Sequence, residues 1–148
     1  MQLSKNFELS EFYMSATAIR RGIDNTPPAN DVEALKLLVA NVLQPLRDKF
    51  GPIVVTSGYR SKALNKAIGG ATTSQHSCGE AADIKIPGVK HAEVCKWIRN
   101  NLQFDQLIYE FGEMGWIHVS YKRDRLRKEV LTARKANGKT VYLKGLWT

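Results

Sequence analysis

The stretch Ser74-Gln75-His76-Ser77-Cys78-Gly79-Glu80-Ala81-Ala82-Asp83 places an imidazole and a carboxylate within one short segment of the chain. The residues from 81 to 86 alternate between the two faces of a predicted β-strand, with Asp83 on one face and apolar neighbours packed on the other. The preceding segment is rich in Gly, Thr and Ser, which predicts a loop. Gly79 would allow a tight turn that brings His76 back over Asp83.

A second alternating stretch, Trp116-Ile117-His118-Val119-Ser120-Tyr121, predicts a half-buried strand that presents His118 to a cleft. For any one of His76, Asp83 and His118, a structural hydrogen-bonding role is the simpler reading. Together they offer two imidazoles and one carboxylate, which is a ligand set for catalytic zinc with a fourth position left open.

Three segments carry a resemblance to a known family: Ser57-Gly58-Tyr59-Arg60-Ser61, then Ser74-x-His76-x-x-Gly79-x-Ala81-x-Asp83, then Trp116-x-His118-x-Ser120. In order and residue type they resemble the zinc D-Ala-D-Ala metallopeptidases, which include phage endolysin peptidases and the hedgehog zinc domain. The resemblance runs from about Phe7 to Tyr121. It implies that His76, Asp83 and His118 bind Zn²⁺, and that the substrate is a peptidoglycan stem peptide. The implied reaction is that of a D-Ala-D-Ala carboxypeptidase or an L-Ala-D-Glu endopeptidase.

Hydrolysis of an amide at zinc also needs a general base, for which a carboxylate is well suited. Glu110 and Glu113 lie just before the His118 strand and are the two candidates. Many carboxypeptidases of the group have an acid three residues before the last histidine, and Gly115 holds that position here. The hedgehog-type arrangement is closer to Tyr109-Glu110, so we predict Glu110 as the base and keep Glu113 in reserve.

Other polar and aromatic residues beside these motifs are candidates for contact with the substrate. Arg60 follows a predicted strand, and its guanidinium could hold a substrate carboxylate or the developing oxyanion, a role that the resemblance also implies. Hydrogen bonds to the substrate, or to the residues around it, are predicted for five further residues: Ser57, Tyr59, Ser74, Trp116 and Ser120.

The patterns predict an α+β fold with helices packed on a small, mainly antiparallel sheet. The length of 148 residues suits a single domain spanning 1–148. The strongest helical pattern begins at Asn30 and ends near Gly51, and Pro45 is expected to kink its last turn. Strands from Phe104 to Glu110 and from Trp116 to Tyr121 should form a hairpin that brings Glu110 near His118.

The chain carries few signs of export. Cys78 and Cys95 do not make a disulfide framework, and we expect both to be free thiols, as in a reducing cytosol. The first eight residues lack the apolar core of a signal peptide, and no segment is long and apolar enough for a membrane span. We therefore expect synthesis in the cytoplasm. Action on the cell wall would follow release by lysis or a holin, or the protein would be virion-associated, which suggests a phage or prophage origin.

The C-terminal residues 122–148 hold nine lysines and arginines against two acidic residues, and so most of the formal charge of +8. Asn137-Gly138 between two apolar runs predicts a basic β-hairpin there. Attraction to anionic envelope polymers and a merely solubilising role are both open. Nucleic acid is an unlikely partner, because no recognition motif accompanies the charge. The remaining alternative is a zinc-containing module of the envelope or virion that binds a partner without catalysis.

Overall fold

The computed structural model describes residues 1–148, and its main feature is one six-stranded β-sheet. The strands are β1 (Gln2–Ser4), β2 (Phe7–Glu8), β3 (Val54–Ser57), β4 (Ala81–Lys85), β5 (Gln106–Glu110), β6 (Trp116–Ser120), β7 (Glu129–Ala136) and β8 (Lys139–Lys144). The helices are α1 (Ser10–Tyr13), α2 (Ala16–Arg21), α3 (Ala29–Leu38), α4 (Gln44–Phe50), α5 (Lys62–Ala67) and α6 (His91–Asn101). Strands β1 and β2 pair with each other, and the main sheet has the order β3-β4-β6-β5-β7-β8.

The main sheet is antiparallel at every neighbouring pair except β5 and β7, which are parallel. The expected α+β fold with a mainly antiparallel sheet is therefore confirmed, and so is the β5–β6 hairpin. The parallel pair was not anticipated. Strands β7 and β8 pair across a turn in which Asn137 and Gly138 have φ of 52° and 77°. Because β7 adds directly to β5, the C-terminal segment extends the sheet and is not a separate appendage.

The two faces of the sheet differ in chemistry. Alternate residues of β4, β5 and β6 pack with the helices into the hydrophobic core, and they are Ala82, Ile84, Leu107, Tyr109, Ile117 and Val119. The residues between them point to the opposite face, because successive side chains of a strand alternate. That opposite face carries Asp83, Glu110 and His118, so burial of the apolar positions fixes where the polar ones point.

The long helical pattern begins one residue earlier than expected, at Ala29, and is interrupted in its middle. A π-helical segment, Val39–Leu43, joins α3 to α4 just before Pro45. Proline has no N–H to donate to the carbonyl four residues earlier, and a wider helical turn accommodates this loss. The irregularity therefore precedes Pro45 and does not follow it. None of the helices is long and apolar enough to cross a membrane.

Candidate active site

The strand register brings two of the three candidate ligands into direct contact. Asp83 on β4 is paired with His118 on β6, and His118 is paired on its other side with Ile108 of β5. Directly paired residues point to the same face of a sheet. The Asp83 Oδ1 atom accordingly lies 3.0 Å from His118 Nδ1.

His76 reaches the same point from a short 3₁₀ turn, Gln75–Cys78, that ends at Gly79. Gly79 has φ of 71°, and a Cβ there would collide with the carbonyl oxygen of Asp31, so the tight turn requires glycine as predicted. The Nδ1–H of His76 donates to the Gly58 carbonyl at 2.7 Å. This hydrogen bond fixes the tautomer and leaves the Nε2 lone pair free, 3.4 Å from Asp83 Oδ1.

The donor set fits a zinc ion. One ligand atom each from His76, Asp83 and His118 lies within 4.8 Å of the other two. Ligands 2.0–2.1 Å from a tetrahedral zinc are about 3.3 Å from one another, close to the two separations measured to Asp83. Both cysteines are free as expected, with Cys78 exposed and Cys95 buried, and neither belongs to the cluster.

Asp83 is a stable carboxylate in this setting. Burial by itself raises the pKa of Asp83, but hydrogen bonds and positive charge from His118 and His76 outweigh burial, and the net pKa is well below the ordinary value. An ionised carboxylate beside two imidazoles is the form that binds a divalent cation.

Glu110 lies at the end of β5, opposite Trp116, on the same face as the cluster. Burial, and then the charge of Asp83, raise the pKa of Glu110, although His118, Trp116 and Arg60 act in the opposite direction. A Cβ on Gly115 would collide with the Glu110 carbonyl oxygen. An acid at position 115 is therefore sterically excluded, which explains the departure from the carboxypeptidase pattern.

Glu113 has a different environment, although it is only three residues away. Its carboxylate accepts hydrogen bonds from the backbone N–H of His91 at 2.6 Å and of Ala92 at 3.0 Å, at the start of α6. The Tyr109 hydroxyl donates a third bond at 2.7 Å. Glu113 thus caps a helix and does not line the cleft that holds the cluster.

That cleft has a volume of about 570 Å³, and it brings several predicted site residues together. His76, Asp83, His118, Glu110, Arg60, Ser74 and Trp116 all line it. Arg60 Nη2 donates a long hydrogen bond of 3.4 Å to Ser74 Oγ. Two buried nitrogen donors, Arg60 Nε and Trp116 Nε1, have no hydrogen-bond partner within the protein. Both residues line the cleft, so water or a bound ligand could satisfy these donors, and Trp116 also lowers the pKa of the neighbouring Glu110.

Three other residues predicted to contact the substrate lie outside the cleft. Ser120 is fully buried, and its hydroxyl accepts a hydrogen bond from the Gln106 backbone at 3.1 Å. Tyr59 is also buried, and burial, followed by the Asp31 carboxylate, raises the pKa of its phenol. Ser57 lines a neighbouring pocket together with Tyr59, although its register partner on β4 is Asp83. None of these three residues lines the cleft that holds the metal cluster.

The cleft also contains residues that the sequence patterns did not single out. Gln75 and Gln106 line it, and so do three residues from beyond β6, namely Arg125, Arg127 and Tyr142. Tyr142 is positioned by register, because Glu110 pairs with Ala133 of β7 and Ala133 pairs with Tyr142 of β8. The basic run marked Arg125 and Arg127 as charged, but no local signal placed them beside the cluster.

Comparison with known protein families gives one result. The family model described as Peptidase M15 matches residues 5–120, and so contains every predicted ligand and Glu110. No curated protein matches the sequence significantly.

Proposed function

The chain belongs to the peptidase M15 family, and on that premise we propose that it is a zinc-dependent hydrolase of peptidoglycan stem peptides. Its reaction would be that of a D-Ala-D-Ala carboxypeptidase or an L-Ala-D-Glu endopeptidase. One observation carries the proposal: His76, Asp83 and His118 converge in the same cleft as a half-buried glutamate, Glu110. Peptidases of the M15 family are metal-dependent, which agrees with this cluster.

His76, Asp83 and His118 would hold the zinc ion. When bound, zinc supplies Lewis acidity toward the scissile carbonyl and the attacking water. The hydrogen bond from His76 to the Gly58 carbonyl orients the imidazole before any ion arrives, which lowers the cost of assembling the site.

Glu110 would act as the general base and then as the general acid. It would accept a proton from the attacking water at a carboxylate oxygen and return that proton to the leaving amine. Its partly buried position raises its pKa, which makes the carboxylate a stronger base. Glu113 would have no part in proton transfer, since three donors already hold it at the start of α6.

Arg60 and Trp116 would bind the reacting part of the substrate. Their unpartnered nitrogen atoms, Arg60 Nε and Trp116 Nε1, are donors suited to a substrate carboxylate or to the oxyanion that develops on the carbonyl. Ser74 would support Arg60 through the bond to Nη2. If Arg60 binds a free terminal carboxylate of the substrate, the reaction would be that of a carboxypeptidase. If it binds an internal carbonyl, the reaction would be that of an endopeptidase.

Mass spectrometry of muropeptides tests the proposal directly. Purified sacculi and soluble muropeptides would be incubated with zinc-loaded protein, with a chelator control. Chelator-sensitive loss of a terminal alanine would identify a carboxypeptidase, and release of the stem peptide below L-Ala would identify an endopeptidase.

The variant Glu110→Gln is the matched control for chemistry. It should retain the zinc content of the wild type and lose turnover by about 10³-fold, in the range expected for loss of a general base. Unchanged product masses from wild-type protein shown to contain zinc would instead favour a non-catalytic zinc module.

A further inference from the structure

Two arginines from beyond the family-matched region form one end of the active-site cleft. Arg125 and Arg127 lie between β6 and β7, after residue 120, and both line the cleft that contains His118. Neither has a part in the chemistry described above, which raises the question of what they bind.

A fully buried carboxylate holds these arginines in place. Asp105 Oδ1 accepts from Arg127 Nε at 2.7 Å, and Asp105 Oδ2 accepts from Arg127 Nη2 at 3.2 Å. Asp105 Oδ2 also accepts from Arg125 Nη2 at 3.1 Å and from Gln75 Nε2 at 2.7 Å. The Asp105 side chain has no solvent exposure, so this is a built arrangement and not a chance surface pair.

The two guanidinium groups are not equivalent. Arg127 gives two donors to Asp105, and its Nη1 lies 3.7 Å from Glu129 Oε1, so its charge is largely compensated. Arg125 gives only Nη2, and about half of its side chain is exposed. Arg125 therefore keeps Nε and Nη1 for a ligand, while Arg127 anchors the segment.

We propose that Arg125 is a specificity-determining residue that binds a carboxylate on the peptide substrate, so that the enzyme prefers acidic peptides. This inference rests on the proposed function and narrows its substrate class. This carboxylate is distinct from the group bound at Arg60. Arg60 follows β3, whereas Arg125 contacts Asp105 just before β5, and β4 and β6 lie between β3 and β5 in the sheet.

The spacing of the sheet gives the position of that carboxylate along the peptide. Ile108 is paired with His118, and Gln106, which donates to Glu129 next to the arginine segment, is two residues earlier on β5. Two residues of a strand span about 7 Å, which is also the span of two residues in an extended peptide. A peptide that runs along the sheet would therefore place near Arg125 a carboxylate that is one or two residues from the scissile bond.

Two stem peptides that differ in one group test this assignment. In one, a residue one or two positions from the scissile bond carries a free carboxylate, and in the other that carboxylate is amidated. Wild-type kcat/KM should be about tenfold higher for the free carboxylate, as expected for one charge-assisted hydrogen-bonded contact at a half-exposed site. Arg125→Ala should reduce this preference to about one by raising KM for the acidic peptide, and Arg125→Lys should restore part of it. Arg123→Ala, which removes a nearby exposed charge outside the cleft, should leave the preference unchanged.

Calorimetric binding to zinc-loaded Glu110→Gln protein, with and without Arg125→Ala, separates this inference from the proposed function. Selective, Arg125-dependent binding without wild-type turnover would overturn the proposed function and leave the carboxylate site standing. Turnover with equal preference in Arg125→Ala and wild type would overturn the carboxylate site alone. Absence of both turnover and selective binding would overturn both.

Discussion

Two carboxylates, the mostly buried Asp83 on β4 and the fully buried Asp105 just before β5, are suited to different tasks. Asp83 contacts the imidazoles of His76 and His118, and Asp105 contacts the guanidinium groups of Arg125 and Arg127. Burial raises the pKa of each carboxyl, but its hydrogen-bonding and charged partners lower that pKa by more, so each is ionised in the folded protein.

The difference lies in the partners. A neutral imidazole has a lone pair and can bind a metal beside a carboxylate, so the Asp83 cluster can serve as a metal site. A guanidinium is always protonated and has no lone pair to offer, so the Asp105 cluster can only hold structure or bind an anion. Similar geometry is therefore suited to metal binding in one region and to anchoring the arginine segment in the other.

The largest expected effect is a loss of bound zinc, which should follow a change at Asp83 but not a change at Asp105. Asp83→Ala removes one of three ligands, and we expect zinc to fall far below one per chain and turnover to fall by at least about 10³-fold. Zinc measured by atomic emission after dialysis checks this. Wild-type zinc content in Asp83→Ala would contradict the assignment of Asp83 as a ligand.

The counterpart, Asp105→Asn, should leave zinc bound and reduce stability. The change leaves two arginines without their shared carboxylate, and we expect the free energy of unfolding to fall by about 2 kcal/mol. This is less than the 3–5 kcal/mol typical of deeply buried pairs, because both arginines are partly exposed. Urea unfolding of the zinc-free proteins measures it, and an unchanged midpoint would show that Asp105 anchors nothing.

The stabilities of wild type and of Asp105→Asn should also respond differently to acid. The folded-state pKa of Asp105 is below its unfolded value, so its stabilisation is fully present above the unfolded pKa and is lost as pH falls through the folded one. The stability advantage of wild type over Asp105→Asn should be constant at neutral pH and decline below about pH 4. Unfolding curves from pH 7 to pH 3 give this difference. An advantage that grows toward acid would have the wrong sign.

The smallest expected effect concerns the two glutamates around the β5–β6 turn. Glu113→Ala removes the carboxylate that caps α6, and the free energy of unfolding should fall by about 1 kcal/mol. Turnover should stay within about twofold of wild type, in contrast to Glu110→Gln. Steady-state kinetics at a temperature well below the unfolding midpoint would reveal a catalytic role for Glu113 as a large loss of kcat.

Much of the candidate metal site was predictable because its signals are local. His76, Gly79 and Asp83 occupy one short segment, and the alternation around Asp83 and His118 indicates which face of each strand they share. The β5–β6 hairpin was predictable for the same reason, since its two strands follow one another along the chain. Alternation predicts which face of a strand a residue such as Ser120 points to, but not whether that face is open at its position, and Ser120 is fully buried.

The sequence by itself determined the ligand types, the α+β class and the strands that carry the site, since residue chemistry and hydrophobic alternation are properties of short segments. Only the tertiary structure decided that Glu110 faces the cleft while Glu113 caps α6, because Phe111 and Gly112 both have positive φ and redirect the chain between the two glutamates. The tertiary structure alone also brought Tyr142 to the cleft, through the parallel pairing of β5 with β7. It likewise brought Arg125 there, through the hydrogen bond to Asp105. The register between strands that are distant in sequence depends on how the whole sheet is buried, and no local sequence pattern carries that information.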